Sequence, residues 1–344
     1  MNAASFLLRL PMYKAYKRAE FPGVLPFSYV FLLSTKCNSR CKTCGLWKVP
    51  SHDELSLNDW LKVIESIGNR AAWVTVTGGE PFMIPGIDKI LCTVLQKTKP
   101  MVLCIPTNAS MPPTIYKTLG RVLVTPGKYE LIVNISVDEV GEKHDQIRGL
   151  TGGFAKVLET VKVLRRLRAR FPQLRIGINT VISEWNIDRI DKIHNYVFTQ
   201  IRPDDHIFEI AQERVELNSS NVGLGLTDLR VVKFLRQLSA ENRRAAFRKR
   251  GVSAFKAISR ARYYSFILHQ KEARCNAGLL SCQIMPNGDV VDCGTRGDVM
   301  ANVKSFGFDF SKLWQSPGPA KARAIYRKRR CKCQLANIFY INRF

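Results

Sequence analysis

The stretch STKCNSRCKTCGLWK, residues 34–48, carries Cys37, Cys41 and Cys44 at the spacing C-x3-C-x2-C. Structural zinc sites gather their ligands in pairs and close with a fourth Cys or His. Apart from His52, no histidine stands near these thiols. An iron–sulfur cubane normally takes four thiolates, so three would leave one iron able to bind a small ligand. The run at residues 29–33, Tyr-Val-Phe-Leu-Leu, reads as a β-strand that delivers the chain to Cys37. The motif therefore sits in a loop at the carboxyl end of a first strand.

Working outward, strand-like runs recur at residues 73–77, 101–107, 130–138, 174–182 and 206–211. Helical patterns separate them. Ser56 followed by Asp59 resembles a capped helix start, and Leu57, Leu61, Ile64 and Ile67 then keep helical spacing. Further helices are expected at residues 85–95, after Pro112-Pro113, at 154–170 and at 188–198. In the 154–170 segment, Val157, Val161, Leu164 and Leu167 make one apolar stripe against a basic face. Six strands alternating with helices imply an α/β fold with a parallel sheet and right-handed crossovers. In such sheets chemistry collects beyond the carboxyl ends of the strands. The cysteine loop, Gly78-Gly79-Glu80 after the second strand and Thr107-Asn108 after the third share that address.

C-x3-C-x2-C after strand one followed by TGGEPF after strand two resembles the radical S-adenosylmethionine (SAM) superfamily. The segments PTNAS, NISVDEVGEKHDQIRG and INTVIS extend the resemblance through residue 211. Thr43 departs from it, because many members place an aromatic residue just before the third cysteine. The resemblance implies a partial (βα)6 TIM-like barrel. It implies that Cys37, Cys41 and Cys44 hold a [4Fe–4S] cluster whose free iron is chelated by the amino and carboxylate groups of SAM. Gly78, Gly79 and Glu80 would meet the methionyl ammonium, with Glu80 as its counter-ion. Thr107, Asn108, Ser136, Asp138 and Asn179 would lie near the ribose or the substrate, and Arg148 would fork onto the SAM carboxylate. For Asn108 and Asn179, a strand-end side chain that satisfies backbone is an equal reading. The implied chemistry is one-electron cleavage of SAM to a 5′-deoxyadenosyl radical that removes hydrogen from an unactivated carbon, an oxidoreductase or transferase activity.

A second cysteine group begins at Cys275, in CNAGLLSCQIMPNGDVVDC, and ends in RRCKC. Cys275, Gly288 and Cys293 stand as C-x12-G-x4-C, which resembles the SPASM/twitch extension of radical SAM enzymes. A hairpin turn at Asn287-Gly288 would set Cys282 across from Cys293. The resemblance implies one auxiliary [4Fe–4S] cluster in a small cysteine-rich α+β domain, held by Cys275, Cys293, Cys331 and Cys333. Cysteines separated by one residue are awkward ligands to a single cluster, so Cys282 remains a candidate in place of Cys331 or Cys333, as does an iron left open. Zinc is the rival metal at this second site. Cys92 and Cys104 stand alone in apolar surroundings and read as buried small hydrophobes.

The chain has 344 residues, 46% of them hydrophobic, and a formal net charge of +25. Its organisation reads as an N-terminal extension (1–25), a radical SAM core (26–220), a basic helical region (221–270) and the auxiliary-cluster domain (271–344). No apolar run approaches the ~20 residues of a membrane span, and the N-terminus lacks the features of an export signal. A cytoplasmic location is expected, with peripheral attachment to an anionic membrane kept open. The charge favours an anionic partner. The apolar, aromatic and basic start, SFLLRLPMYKAYKR, suits either an interfacial helix or one packed on the barrel's open edge. The absence of a peptide-recognition domain ahead of the first strand tilts the expectation away from a ribosomal-peptide maturase. A sugar, lipid-linked or peptide substrate is expected, with a flavodoxin or ferredoxin as electron donor. RNA binding or modification, and non-catalytic electron transfer, are the competing classes. No aromatic ribonucleoprotein motif accompanies the basic runs, and the Gly-Gly-Glu strand end argues against a mere carrier.

Overall fold

The computed structural model describes residues 3–19, 24–220, 224, 228–248, 250–269 and 272–342. The boundary expected near Lys271 therefore lies outside the described residues, while the one near Ser220 falls at the end of a described stretch. Helix α1 (Ala3–Ala19) precedes strand β1 (Ser28–Leu32). The alternation then runs α2 (Leu57–Ile67), β2 (Trp73–Thr77), α3 (Ile87–Thr93), β3 (Val102–Thr107), α4 (Pro112–Val122), β4 (Glu130–Ser136), α5 (Glu142–Arg148), α6 (Gly153–Arg170), β5 (Leu174–Ile182), α7 (Ile190–Tyr196) and β6 (Asp205–Ile210). The helical hairpin of α8 (Leu229–Arg248) and α9 (Gly251–Leu268) follows. The C-terminal part contains β7 (Ala273–Arg274), β8 (Ser281–Ile284), β9 (Asp289–Val291), β10 (Val299–Asn302), α10 (Phe310–Gln315), α11 (Pro317–Tyr326), β11 (Arg330–Cys331) and α12 (Ala336–Asn342).

Strands β1 to β6 lie side by side and parallel. Their helix-facing residues, such as Val74, Val76, Leu103, Ile105, Leu131, Val133 and Ile135, are fully buried, and removing that apolar surface from water drives the assembly. β4 alternates buried and half-buried positions along its length. Its second face, carrying Asn134 and Ser136, looks into the barrel and is polar there, whereas β1 and β3 carry apolar side chains on both faces. Ser56 caps α2 as expected: its hydroxyl accepts from the Asp59 N–H and the Asp59 carboxylate accepts from the Ser56 N–H.

The C-terminal hairpin does not stand apart. β8 pairs with β1 in parallel, so the sheet runs β10-β9-β8-β1-β2-β3-β4-β5-β6 without a break. β7 and β11 form a separate antiparallel pair. The expected turn at Asn287-Gly288 forms, with a difference. Met285 N–H donates to Asp289 and Gly288 N–H to Met285, a three-residue loop whose Gly288 sits at φ +92°. A two-residue turn would have set Cys282 opposite Cys293. The extra loop residue pairs Gln283 with Val291, and a one-residue slip turns a side chain to the other face.

α1 packs on the chain. Phe6, Tyr13 and Tyr16 are buried, and Phe27 meets Phe6 and Tyr13 edge-on at centroid distances of 5.2 and 5.1 Å. The same cluster includes Ala72, Cys275, Leu279, Leu280 and Ile338. Phe27, Ala72 and Met101 each precede a strand, so α1 closes the amino ends of β1, β2 and β3 rather than the barrel's open edge. Its aromatic residues are committed to protein and not to lipid. Replacing Phe27 by Ala should lower unfolding free energy by about 3 kcal/mol, the scale for emptying a buried aromatic site. Chemical denaturation of the metal-free protein would measure it, and a loss under about 1 kcal/mol would show that α1 contributes little packing.

Candidate functional site

The loop from Leu33 to Gly45 is anchored before it reaches Cys37. Leu33 N–H donates to the Thr77 carbonyl at 2.9 Å, and Gly79 and Glu80 N–H groups donate to Ser34 and Lys36 at 2.8 and 2.9 Å. The Gly-Gly-Glu strand end is thus laced to the backbone that carries the first thiol. A Cβ at Gly79 would overlap the Lys36 carbonyl and stand 2.9 Å from Cys37 Cβ, so only glycine fits this approach. From the other side, Ser34 Oγ and Thr35 N–H donate to Glu54 at 2.8 and 2.7 Å. Arg40 and Lys42 N–H groups donate to the carbonyls of Arg148 and Ile147 at the end of α5.

Glu80 is 1% exposed. Its Oε1 accepts from Thr107 Oγ1 at 2.8 Å and Phe82 N–H at 3.1 Å, and its Oε2 accepts from Asn108 N–H at 2.8 Å. Burial raises its pKa, and the hydrogen bonds from Asn108, Thr107 and Phe82 oppose that shift. A carboxylate has about four acceptor positions, so the three bonds leave one for an incoming ammonium. Asn108 continues the network: its Nδ2 donates to Asn38 Oδ1 at 2.8 Å and Ser39 Oγ at 2.9 Å. Asn38 Nδ2 in turn donates to Ser110 Oγ at 2.8 Å. Glu80, Thr107 and Asn108 therefore work as one knot that holds the cysteine loop.

Cys41 is buried and Cys37 and Cys44 are half-buried. Burial pushes the Cys41 thiol up to about 12, with Arg148 pulling the other way and Cys44 and Cys37 adding to the rise. Arg148 Nη1 pairs with Asp138 Oδ2 at 3.0 Å, and Asp138 Oδ1 accepts from Val181 N–H at 2.9 Å. Arg148 Nε is buried with no hydrogen-bond partner, and so is Asn179 Oδ1. Asn179 lies opposite Ser136 in the β4–β5 register. A buried guanidinium N–H without a partner beside a three-thiol loop fits a ligand carboxylate. The residues thus fit a cluster held by Cys37, Cys41 and Cys44 with SAM beside it. Thr43 is buried in the same loop.

The second group gathers four thiols. Cys331 on β11 pairs with Ala273, and Cys275 N–H donates to Arg329 O at 3.2 Å. Arg329 pairs with Asp292 and reaches Asp298 at 2.7 Å, which binds the Cys293 loop to the Cys331 strand. Cys275, Cys293, Cys331 and Cys333 pack in one cluster with α1. The Cys333 thiol donates to Cys331, which lowers the Cys331 pKa and raises that of Cys333. Cys282 lies elsewhere: it pairs with Tyr29 across the β1–β8 register and is buried in the barrel core. Cys104 is buried too, and Cys92 packs half-buried against the core. Among the described residues no three His, Cys, Asp or Glu side chains converge as ligands of a single ion.

Sequence reasoning missed Asn38, Ser39, Glu54, Arg329 and the turn Val215–Leu217, whose roles depend on long-range partners that no local pattern announces. His52 lines a cavity of about 430 Å³ together with Leu46, Glu54, Val215, Met285 and Cys293. Replacing Cys282 by Ala should leave iron content unchanged, while Cys293→Ala should remove about half of it, by iron and sulfide analysis after reconstitution. Iron lost from the Cys282 variant, with its fold intact by circular dichroism, would return Cys282 to the ligand set.

The family model of the Radical SAM superfamily matches residues 31–197. The antilisterial bacteriocin subtilosin biosynthesis protein AlbA of Bacillus subtilis (strain 168) is 32% identical over 148 residues, 42% of this chain and 31% of AlbA. The sporulation killing factor maturation protein SkfB of the same organism is 28% identical over 173 residues, 49% of this chain and 39% of SkfB. The matches thus span well under half the length of these curated relatives. Among solved structures, anSMEcpe with bound AdoMet and the Cp18Cys peptide superposes with TM-score 0.63 at 16% identity, over 89% of this chain and 84% of that one. SuiB of Streptococcus suis bound to S-adenosylmethionine gives TM-score 0.62 at 16% identity, over 94% and 74%. At that identity the likeness is one of fold.

Proposed function

Because residues 31–197 belong to the radical SAM superfamily, we propose that the chain is a SAM-dependent radical enzyme with one auxiliary [4Fe–4S] cluster, and that its substrate is a peptide. With its cofactors bound, the site would supply an electron to a carbon–sulfur bond of SAM, and the 5′-deoxyadenosyl radical would abstract hydrogen from the substrate. Cys37, Cys41 and Cys44 hold the cluster. The free acceptor position on Glu80 and the partnerless Nε of Arg148 are assigned to the ammonium and carboxylate of SAM. Ser136 and Asn179 face the ribose or the substrate from neighbouring strand ends.

The observation that carries this reading is the partnerless buried Arg148 Nε beside a three-cysteine loop laced to Gly79 and Glu80. The peptide assignment rests on the maturation and biosynthesis roles named for SkfB and AlbA and on peptides named with solved neighbours, anSMEcpe and SuiB with its precursor peptide SuiA. It reverses the tilt away from a peptide maturase drawn from the short N-terminal extension. In anaerobically reconstituted protein, about eight irons per chain and dithionite-dependent release of 5′-deoxyadenosine are expected, with release abolished by Cys41→Ala. Zinc in place of iron, or no SAM cleavage with candidate peptides present, would overturn it.

The electron donor and the membrane belong to the same proposal. The +25 charge suits an acidic carrier such as a flavodoxin or ferredoxin. The α8–α9 turn suits an anionic bilayer: residues 242–271 hold no Asp or Glu, and Phe247 and Phe255 are 92% and 68% exposed. Exposed rings beside arginines partition to headgroups. No helix among the described residues is long and apolar enough to cross a membrane. The protein should float with phosphatidylglycerol vesicles and not with phosphatidylcholine, and a Phe247→Ala, Phe255→Ala double variant should stay behind. Equal flotation of that variant would remove the turn from the account, and capture by RNA alone would favour the nucleic-acid class.

A further inference from the structure

The residue after the third cysteine of the first motif is Gly45, and the residue after Cys293 is Gly294. The two glycines press on one short turn, Val215–Leu217, which follows β6. Gly45 N–H donates to Leu217 O at 2.8 Å, and Glu216 N–H donates to Gly294 O at 3.0 Å. A Cβ on Gly45 would overlap the carbonyl of Asn218, and one on Gly294 would overlap the carboxylate of Glu216. On the Gly45 side the obstacle is backbone; on the Gly294 side it is the end of the Glu216 side chain. The turn is therefore held between the loops that carry Cys44 and Cys293.

The turn also carries a charge. Arg214 pairs with Glu216 at 3.2 Å, with side chains 20% and 12% exposed. Arg214 N–H donates to Ser219 Oγ at 3.0 Å, which closes the loop on itself. The Glu216 carboxylate that Arg214 pairs with abuts Gly294, next to Cys293, and Leu217 O accepts from Gly45, next to Cys44. One guanidinium thus lies on the turn that touches both cysteine loops. In a site this dry a charge acts far more strongly than in water, and cluster potentials respond to nearby charge.

We propose that the 214–218 turn couples the two cluster sites, fixing the Cys44 loop against the Cys293 loop and placing Arg214 as a positive charge shared by both clusters. The inference rests on the two-cluster reading above. Arg214 acts here as a positioning and tuning residue, because it touches neither SAM nor substrate in this account. Its positive charge favours the reduced, more negative form of each cluster, so its removal lowers both midpoint potentials.

The test is an EPR-monitored redox titration of reconstituted wild-type, Arg214→Met and Arg214→Lys protein, each with its iron counted. The expected result is a downward shift of both midpoints in the Met variant and near wild-type values in the Lys variant, at unchanged iron. A shift at one cluster alone, or none, overturns the coupling. Gly294→Ala gives an independent reading. By displacing Glu216 it should alter the SAM-induced change in the EPR signal of the three-cysteine cluster relative to the wild type, at unchanged iron. A Gly294→Ala signal equal to the wild type overturns the mechanical link. Wild-type iron of about four per chain would instead sink the two-cluster reading itself, and is measured first.

Discussion

The carboxylate of Glu80 is the constraint on which the site depends. It is buried at the end of β2, where an unpaired charge would cost several kcal/mol. Three donors meet it there: Thr107 and Asn108 at the end of β3, and the N–H of Phe82, two residues after Glu80 itself. Those donors draw the end of β3 to the end of β2. The amide of Asn108 then reaches Asn38 and Ser39, so a charge on one strand end sets the path of a cysteine loop on another. Burial that would destabilise a lone carboxylate becomes, with its donors in place, a rigid reference point for the thiols.

The same logic joins the two halves of the molecule. β8 lies along β1, the strand that feeds Cys37, so the second cysteine group is set against the first by a shared ladder rather than by a flexible tether. On β6, Glu209 accepts from Ala336 N–H at the start of α12 and from Asn179 Nδ2. The C-terminal tail therefore crosses to the far side of the open sheet. The segment after β6 crosses in the other direction to Gly45 and Gly294. The barrel is closed by these two crossings, and both pass beside ligand-bearing loops.

Much of this was legible in the sequence, for identifiable reasons. Period-2 and helical-period patterns report which face is buried, and all six barrel strands fall within a residue or two of expectation at both ends because burial dominates them. Ser56 with Asp59 is a local device, and local devices read well. Gly79 was readable only through the resemblance of TGGEPF, and the structure adds that a Cβ there would overlap the Lys36 carbonyl. What escaped was set by tertiary partners. Glu80 reads as a free counter-ion until its three donors are seen. The extra residue in the Pro286-Asn287-Gly288 loop reverses the facing of Cys282, and no propensity distinguishes that loop from a two-residue turn. Arg214 sits in an ordinary-looking segment, and only the packing of two distant glycines marks it.

The central claim is that three thiolates leave one iron of the first cluster open, with Glu80 and Arg148 placed to receive the ligand that fills it. Mössbauer spectroscopy of iron-57 protein lacking the auxiliary ligands Cys275 and Cys293, with and without SAM, tests it most directly. The account predicts that SAM shifts the signal of a single iron while the others stay unchanged, and that Arg148→Met weakens the shift. A spectrum indifferent to SAM, with every iron equivalent, would contradict it.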